Sequence, residues 1–128
     1  MNRKQLGDFA ENIACFYLKK KGYKILNRNW FFFTEKRKKG EIDIVAKKDK
    51  TIHFVEVKAL RASGAQGFLP EDKINFQKKE KLKKTAFAWF ESNNISPDVK
   101  WQIDVISVKL DLPTKKAKIR HFKNVVSS

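Results

Sequence analysis

Two short apolar segments near the middle of the chain, GEIDIVA over residues 40–46 and IHFVEVK over residues 52–58, are separated only by residues 47–51. Each reads as a strand, and so short a connection joins neighbouring strands antiparallel, as a hairpin. Both strands carry a carboxylate where an apolar side chain is expected. Asp43 stands between Ile42 and Ile44, and Glu56 between Val55 and Val57, with Lys58 two positions further on. An unsatisfied carboxylate in a half-buried strand costs roughly several kcal/mol. The hairpin thus constrains the fold and marks a site.

Alternation along the strands assigns Glu41, Asp43 and Val45 to one face of the first and Phe54, Glu56 and Lys58 to one face of the second. A turn centred between Asp49 and Lys50 sets Asp43 opposite Glu56, with their Cβ atoms roughly 5 Å apart. At that distance the two charges repel by about 3 kcal/mol at an effective dielectric of ~20. A hard divalent cation, Mg²⁺ or Mn²⁺, is the natural neutraliser, and Lys58 is a second cation on the same face. Glu-x-Lys alone on a strand is ordinarily a solvated ion pair of little worth. The added Asp43 and the apolar neighbours make the combination specific.

The charge balance points the same way. Lys and Arg number 29 against 14 Asp and Glu, a formal charge of +15 with a pI near 10.0 over 128 residues. One domain of this length can build a core without disulfides. The cationic excess calls for a polyanionic partner, nucleic acid before an acidic membrane surface. Cys15 is the lone cysteine, so neither an internal disulfide nor a cysteine-based zinc site is expected. The opening MNRKQLGDFAEN has no signal-peptide core and no apolar run approaches membrane-spanning length, so a cytoplasmic protein without membrane association is expected.

Around the hairpin, Leu6, Phe9, Ala10, Ile13 and Tyr17 recur at helical spacing over residues 4–21 and Gly22 supplies the stop. Glu11 falls at the margin of that apolar stripe. Residues 23–33 read as an aromatic strand and 34–39 (TEKRKK) as a basic turn. The run over residues 30–33 reads first as core, then as a self-association patch, and last as a surface for stacking on bases. Residues 61–72 read as a loop and 74–93 as a second helix whose stripe of Leu82, Ala86, Trp89 and Phe90 is continued by Lys78. Residues 101–110 and 116–122 read as two further strands. The order αβββαββ implies an α/β fold, a mixed central sheet flanked by helices.

Gly7, Asp8 and Glu11 on the first helix, Gly22, Asn29, GEIDIVA, FVEVK, Lys78 and the triplet Ile103, Asp104, Val105 resemble the YraN-like family of predicted bacterial nucleases. That family belongs to the restriction-endonuclease-like PD-(D/E)xK superfamily and is similar to archaeal Holliday-junction resolvases. The resemblance covers residues 6–108. It implies a restriction-endonuclease-like core in which Asp43 and Glu56 bind metal, with the Val57 carbonyl as an extra ligand, and Lys58 and Glu11 complete the catalytic set. Lys78 matches a basic residue of the second core helix. Gln102 departs from the family, where an arginine commonly precedes the hydrophobic-Asp pair.

The expected activity is Mg²⁺- or Mn²⁺-dependent hydrolysis of phosphodiester bonds, in DNA before RNA and with branched substrates in view. Lys36, Arg37, Lys38, Lys39, Arg61 and Lys78 are the expected nucleic-acid contacts. A homodimer follows by analogy with junction cleavage. The rival expectation is a binding module without catalysis. It accounts for the charge and leaves the acids inside the strands without a reason.

Overall fold

A computed structural model of the chain describes residues 1–61, 76–96, 98–111 and 113–125. The expected loop over residues 61–72 falls outside these except at Arg61. The elements run α1 (Arg3–Lys20), β1 (Lys24–Thr34), β2 (Arg37–Lys48), β3 (Thr51–Arg61), α2 (Phe76–Ser92), β4 (Trp101–Asp111) and β5 (Lys116–Phe122). Asn2 caps α1 through a reciprocal capping box with Gln5, which satisfies two of the first-turn N–H groups.

The five strands form one sheet in sequence order, antiparallel except for the β3–β4 pair, which is parallel and bridged by the crossover that contains α2. The fold is therefore α/β with a mixed open sheet, consistent with a restriction-endonuclease-like core. Leu6, Ala10, Ala14 and Leu18 of α1 pack with Ile44, Ala46, Val55, Ile106 and Val108 on one face. Leu82, Ala86, Trp89 and Phe90 of α2 pack with Ile42, Val45, Ile52, Phe54 and Ile103 on the other. No helix among the described residues is long and apolar enough to cross a membrane.

The β2–β3 ladder pairs Lys48 with Thr51, then Lys47 with Ile52, and ends at Ile44 with Val55. This is the register of a turn between Asp49 and Lys50, and Asp49 takes the left-handed conformation there, at φ 55°. One expectation is corrected. The basic turn over residues 34–39 shrinks to Glu35 and Lys36, both left-handed at φ 50° and 64°, and Arg37 to Lys39 belong to β2. Glu41 and Val45 both meet residues of α2, but the apolar residues between them do not alternate simply. Ile42 joins the α2-side cluster and Ile44 the α1-side cluster, whereas a regular strand would keep residues two apart together. On β1 the partners of these residues, Trp30 and Arg28, flank Asn29 at φ 51°. The β1–β2 ribbon turns over at this point, and Asp43 sits at the reversal.

Gly40 lets α2 lie close against the ribbon. A Cβ there would overlap the Thr85 hydroxyl and press on the Thr85 Cβ and the Phe32 ring, whereas a Cβ on Gly7, inside α1, meets nothing within 4 Å. Thr85 is 1% exposed and its hydroxyl is bonded to the Lys81 carbonyl, so it has nowhere to retreat. Gly40→Ala is expected to destabilise by about 1–3 kcal/mol through overpacking. Gly7→Ala is expected to stabilise by about 0.5–1 kcal/mol through backbone entropy. Urea unfolding of the two variants checks this, and equal midpoints would contradict the tight seat of α2.

Candidate active site

Where β2 parts from β3, the Asp43 carboxylate takes the place of the next rung of the ladder: its Oδ2 accepts the Val57 backbone N–H at 2.8 Å. Val57 thus meets Asp43 through its N–H, and its carbonyl is the atom the sequence offers as a ligand. On β3, Glu56 is held by two lysines, with Oε1 3.4 Å from Lys58 Nζ and 3.0 Å from Lys78 Nζ. Lys58 comes from the same strand. Lys78 comes from the first turns of α2, one helical turn before the buried Leu82, so the stripe that packs α2 also aims Lys78 at the sheet. Glu41, Glu56, Lys78, Lys81, Leu82 and Thr85 line a cleft at this place.

The titration behaviour follows from this crowding. Burial first, and then the Glu56 charge, push the Asp43 carboxyl up to about 7, against the Val57 hydrogen bond; Glu11 and Glu41 add to the rise. Burial, and then hydrogen bonding and repulsion from Lys78, push Lys58 below the ordinary lysine range. Burial works against charge on Lys78 too, but its hydrogen bond with Lys58 and the Glu56 carboxylate outweigh it and hold Lys78 above that range. The two lysines are thus shifted in opposite directions around one carboxylate.

Glu11 lies on α1, in the layer that packs on the sheet face opposite α2. It is 8% exposed, its Oε1 has no hydrogen-bond partner among the described residues and stands 3.5 Å from the Arg28 guanidinium, and burial raises its pKa against the attraction of Arg28. It reaches the site as negative potential at Asp43. Lys36, Arg37, Lys38 and Lys39 lie on the exposed β1–β2 hairpin end, where Lys38 is ion-paired with Glu41 at the edge of the cleft. Arg61 ends β3, and its side chain lies outside the described residues.

A second buried acid sets the contrast. Asp104, 0% exposed, accepts from His53 Nδ1 (2.8 Å), His121 Nε2 (2.9 Å), Gln102 Nε2 (2.8 Å) and the Asn124 N–H (2.9 Å). Burial acts to raise its pKa, but these donors, His121 first, hold it far below the ordinary carboxylate range. Tyr17 Oη lies 3.1 Å from His121 Nδ1 and extends the network to α1. Sequence reasoning did not connect His53 and His121 with Asp104, because the partners are 51 and 17 residues away. Fully satisfied, Asp104 braces the fold. Asp43, with one donor among the described residues, does not have that satisfaction.

Among the described residues no group of three His, Cys, Asp or Glu side chains is placed to hold a metal. Two hard carboxylates, one of them met by a single N–H donor among the described residues, nevertheless suit Mg²⁺, which commonly takes one or two carboxylates and completes its shell with water and phosphate oxygens. The donor set fits such an ion and does not fit a soft one.

The sign of the pH effect is fixed by Asp43. Its folded pKa of about 7 lies above the ordinary value of 3.8, so the folded state binds the proton more tightly, and without metal its stability falls as pH rises from about 4 to about 7. Asp43→Asn keeps an acceptor for the Val57 N–H and removes the titration. In EDTA the variant is expected to match wild type at or below about pH 4 and to exceed it near pH 8 in urea midpoint. A variant less stable at both pH values would contradict the strained carboxylate.

The model of the uncharacterised protein family UPF0102 matches residues 10–108. A UPF0102 protein of Caldicellulosiruptor bescii is 42% identical over 125 residues, 97% of this chain and 98% of that protein. One of Alkaliphilus oremlandii is 39% identical over 124 residues, 97% and 98% of the two chains. One of Clostridium acetobutylicum is 43% identical over 108 residues, 84% and 82%.

Proposed function

The chain belongs to the UPF0102 family, and we propose that this member is a metal-dependent endonuclease that hydrolyses phosphodiester bonds in DNA. The observation that carries the reading is the Asp43 carboxyl, half-buried beside Glu56 and given one N–H donor among the described residues, in a chain of formal charge +15. Such acids repel phosphate and weaken the binding that the charge promotes, unless a cation bridges them.

In this reading the fold is a member of the PD-(D/E)xK superfamily, and Asp43, Glu56 and the Val57 carbonyl hold Mg²⁺ or Mn²⁺. When bound, the ion supplies positive charge to the scissile phosphate and makes water more acidic. Lys58, the lysine of lowered pKa, accepts the proton of the attacking water or lends its charge to the developing oxyanion. Lys78 stays charged, orients Glu56 and faces the phosphate. Glu11 deepens the negative potential at Asp43, which favours a divalent over a monovalent ion. Lys36, Arg37, Lys38, Lys39 and Arg61 track the backbone. DNA rather than RNA, a branched substrate, a cytoplasmic location and a symmetric dimer that presents two sites belong to the same reading.

A binding module without catalysis has one observation in its favour: Lys58 and Lys78 already neutralise Glu56. Substitution separates the two. On a panel of labelled linear, nicked, forked and four-way DNA with Mg²⁺ or Mn²⁺, Glu56→Gln and Lys58→Ala are expected to lower cleavage by about 10²-fold or more while binding persists. Equal traces of cleavage in wild type and both variants would favour the binding module. Binding itself is expected to weaken by roughly 10³-fold or more between ~50 and ~200 mM salt if about six phosphates are contacted. Affinity that stays flat across that range would contradict phosphate recognition.

A further inference from the structure

The far end of the β1–β2 ribbon extends past the rest of the sheet. β2 pairs with β1 from Lys47 back to Arg37, whereas its ladder with β3 stops at Ile44. On the side of the ribbon toward α2, Trp30 and Ile42 join the core, and Phe32 stacks on Trp30. The alternate residues Phe31 and Phe33 are 47% and 56% exposed. Their rings meet edge to face at 5.4 Å, and Lys38 Nζ, ion-paired with Glu41, stands 5.3 Å above the Phe31 ring, leaving Lys36, Arg37 and Lys39 as the further cations of the arm. The strand that returns from the tip opens with Arg37, Lys38 and Lys39, directly after Lys36 in the turn.

We propose that this arm engages unpaired bases, with Phe31 and Phe33 as stacking residues and the adjoining cations on the flanking phosphates. The proposal rests on the nucleic-acid reading above and names the feature of the substrate that the arm selects. Aromatic faces attract any base whose face is uncovered, and a cation beside the ring strengthens the contact and meets the phosphate. A paired duplex keeps its base faces stacked inside, so the two rings gain nothing from it. A second copy of the chain is the other candidate for an exposed aromatic pair, but two arms with four consecutive cations each would repel.

The test uses a forked DNA with 2-aminopurine in its single-stranded arm and a fully paired duplex of equal length, both bound without metal so that nothing is cut. The Phe31→Leu, Phe33→Leu double variant keeps the apolar bulk and removes the rings; Phe31→Tyr, Phe33→Tyr keeps the rings. The leucine variant is expected to lose about tenfold or more in affinity for the fork and to lose 2-aminopurine quenching, with duplex affinity unchanged. The tyrosine variant is expected to behave as wild type. Equal affinities of wild type and leucine variant for the fork, an equal loss on fork and duplex, or a change of the leucine variant from dimer to monomer in sedimentation would each overturn the proposal. Cleavage by wild type with Mg²⁺ is scored separately, so failure of the nuclease reading leaves this binding result interpretable.

Discussion

The hydrogen bond from the Val57 N–H to the Asp43 carboxylate is the constraint on which the site depends. It stands where the β2–β3 ladder would otherwise continue, and so it joins two strands that are separating. A backbone rung would leave no side chain there. A carboxylate in that place brings a negative charge into the sheet, next to Glu56, with little solvent to support it. The rise of its pKa to about 7 follows from burial and from Glu56. A raised pKa on a half-buried acid with one donor among the described residues marks a candidate functional position.

Asp104 shows what the same fold does with an acid kept for stability. Two histidines, a glutamine and a backbone N–H surround it, and its carboxylate is held in the charged form. His53 lies on β3, Gln102 on β4 with Asp104 itself, His121 on β5, and Asn124 just after β5. Gln102 is one of the four donors, so it serves this network and does not line the cleft beside Glu56. The difference between the two aspartates lies in the number of donors, and it separates a brace from a site.

Much of this was legible in the sequence because the relevant signals are local. The α1 stripe, the strands around Asp43 and Glu56, and the short turn that fixes their register are all carried by residues close together in the chain. Lys78 could be aimed at the sheet from its spacing to Leu82 alone. The rest depends on features without a local signature. Glu35 and Lys36 form a left-handed two-residue turn without the Asn-Gly pattern that advertises one. The extension of β2 through Arg37 to Lys39 is hidden because an exposed, charged arm shows no apolar alternation. The reversal at Asp43 shares its cause with Asn29 on another strand, and the donors of Asp104 meet only in the folded chain.

The central claim is that Asp43 and Glu56 together hold a hard divalent cation at the fork between β2 and β3. Crystals soaked in Mn²⁺ and measured for anomalous scattering test it most directly. The account predicts an anomalous peak beside the Asp43 and Glu56 carboxylates. A crystal in which Glu56 remains bridged by both lysines and no anomalous peak stands at Asp43 would contradict it.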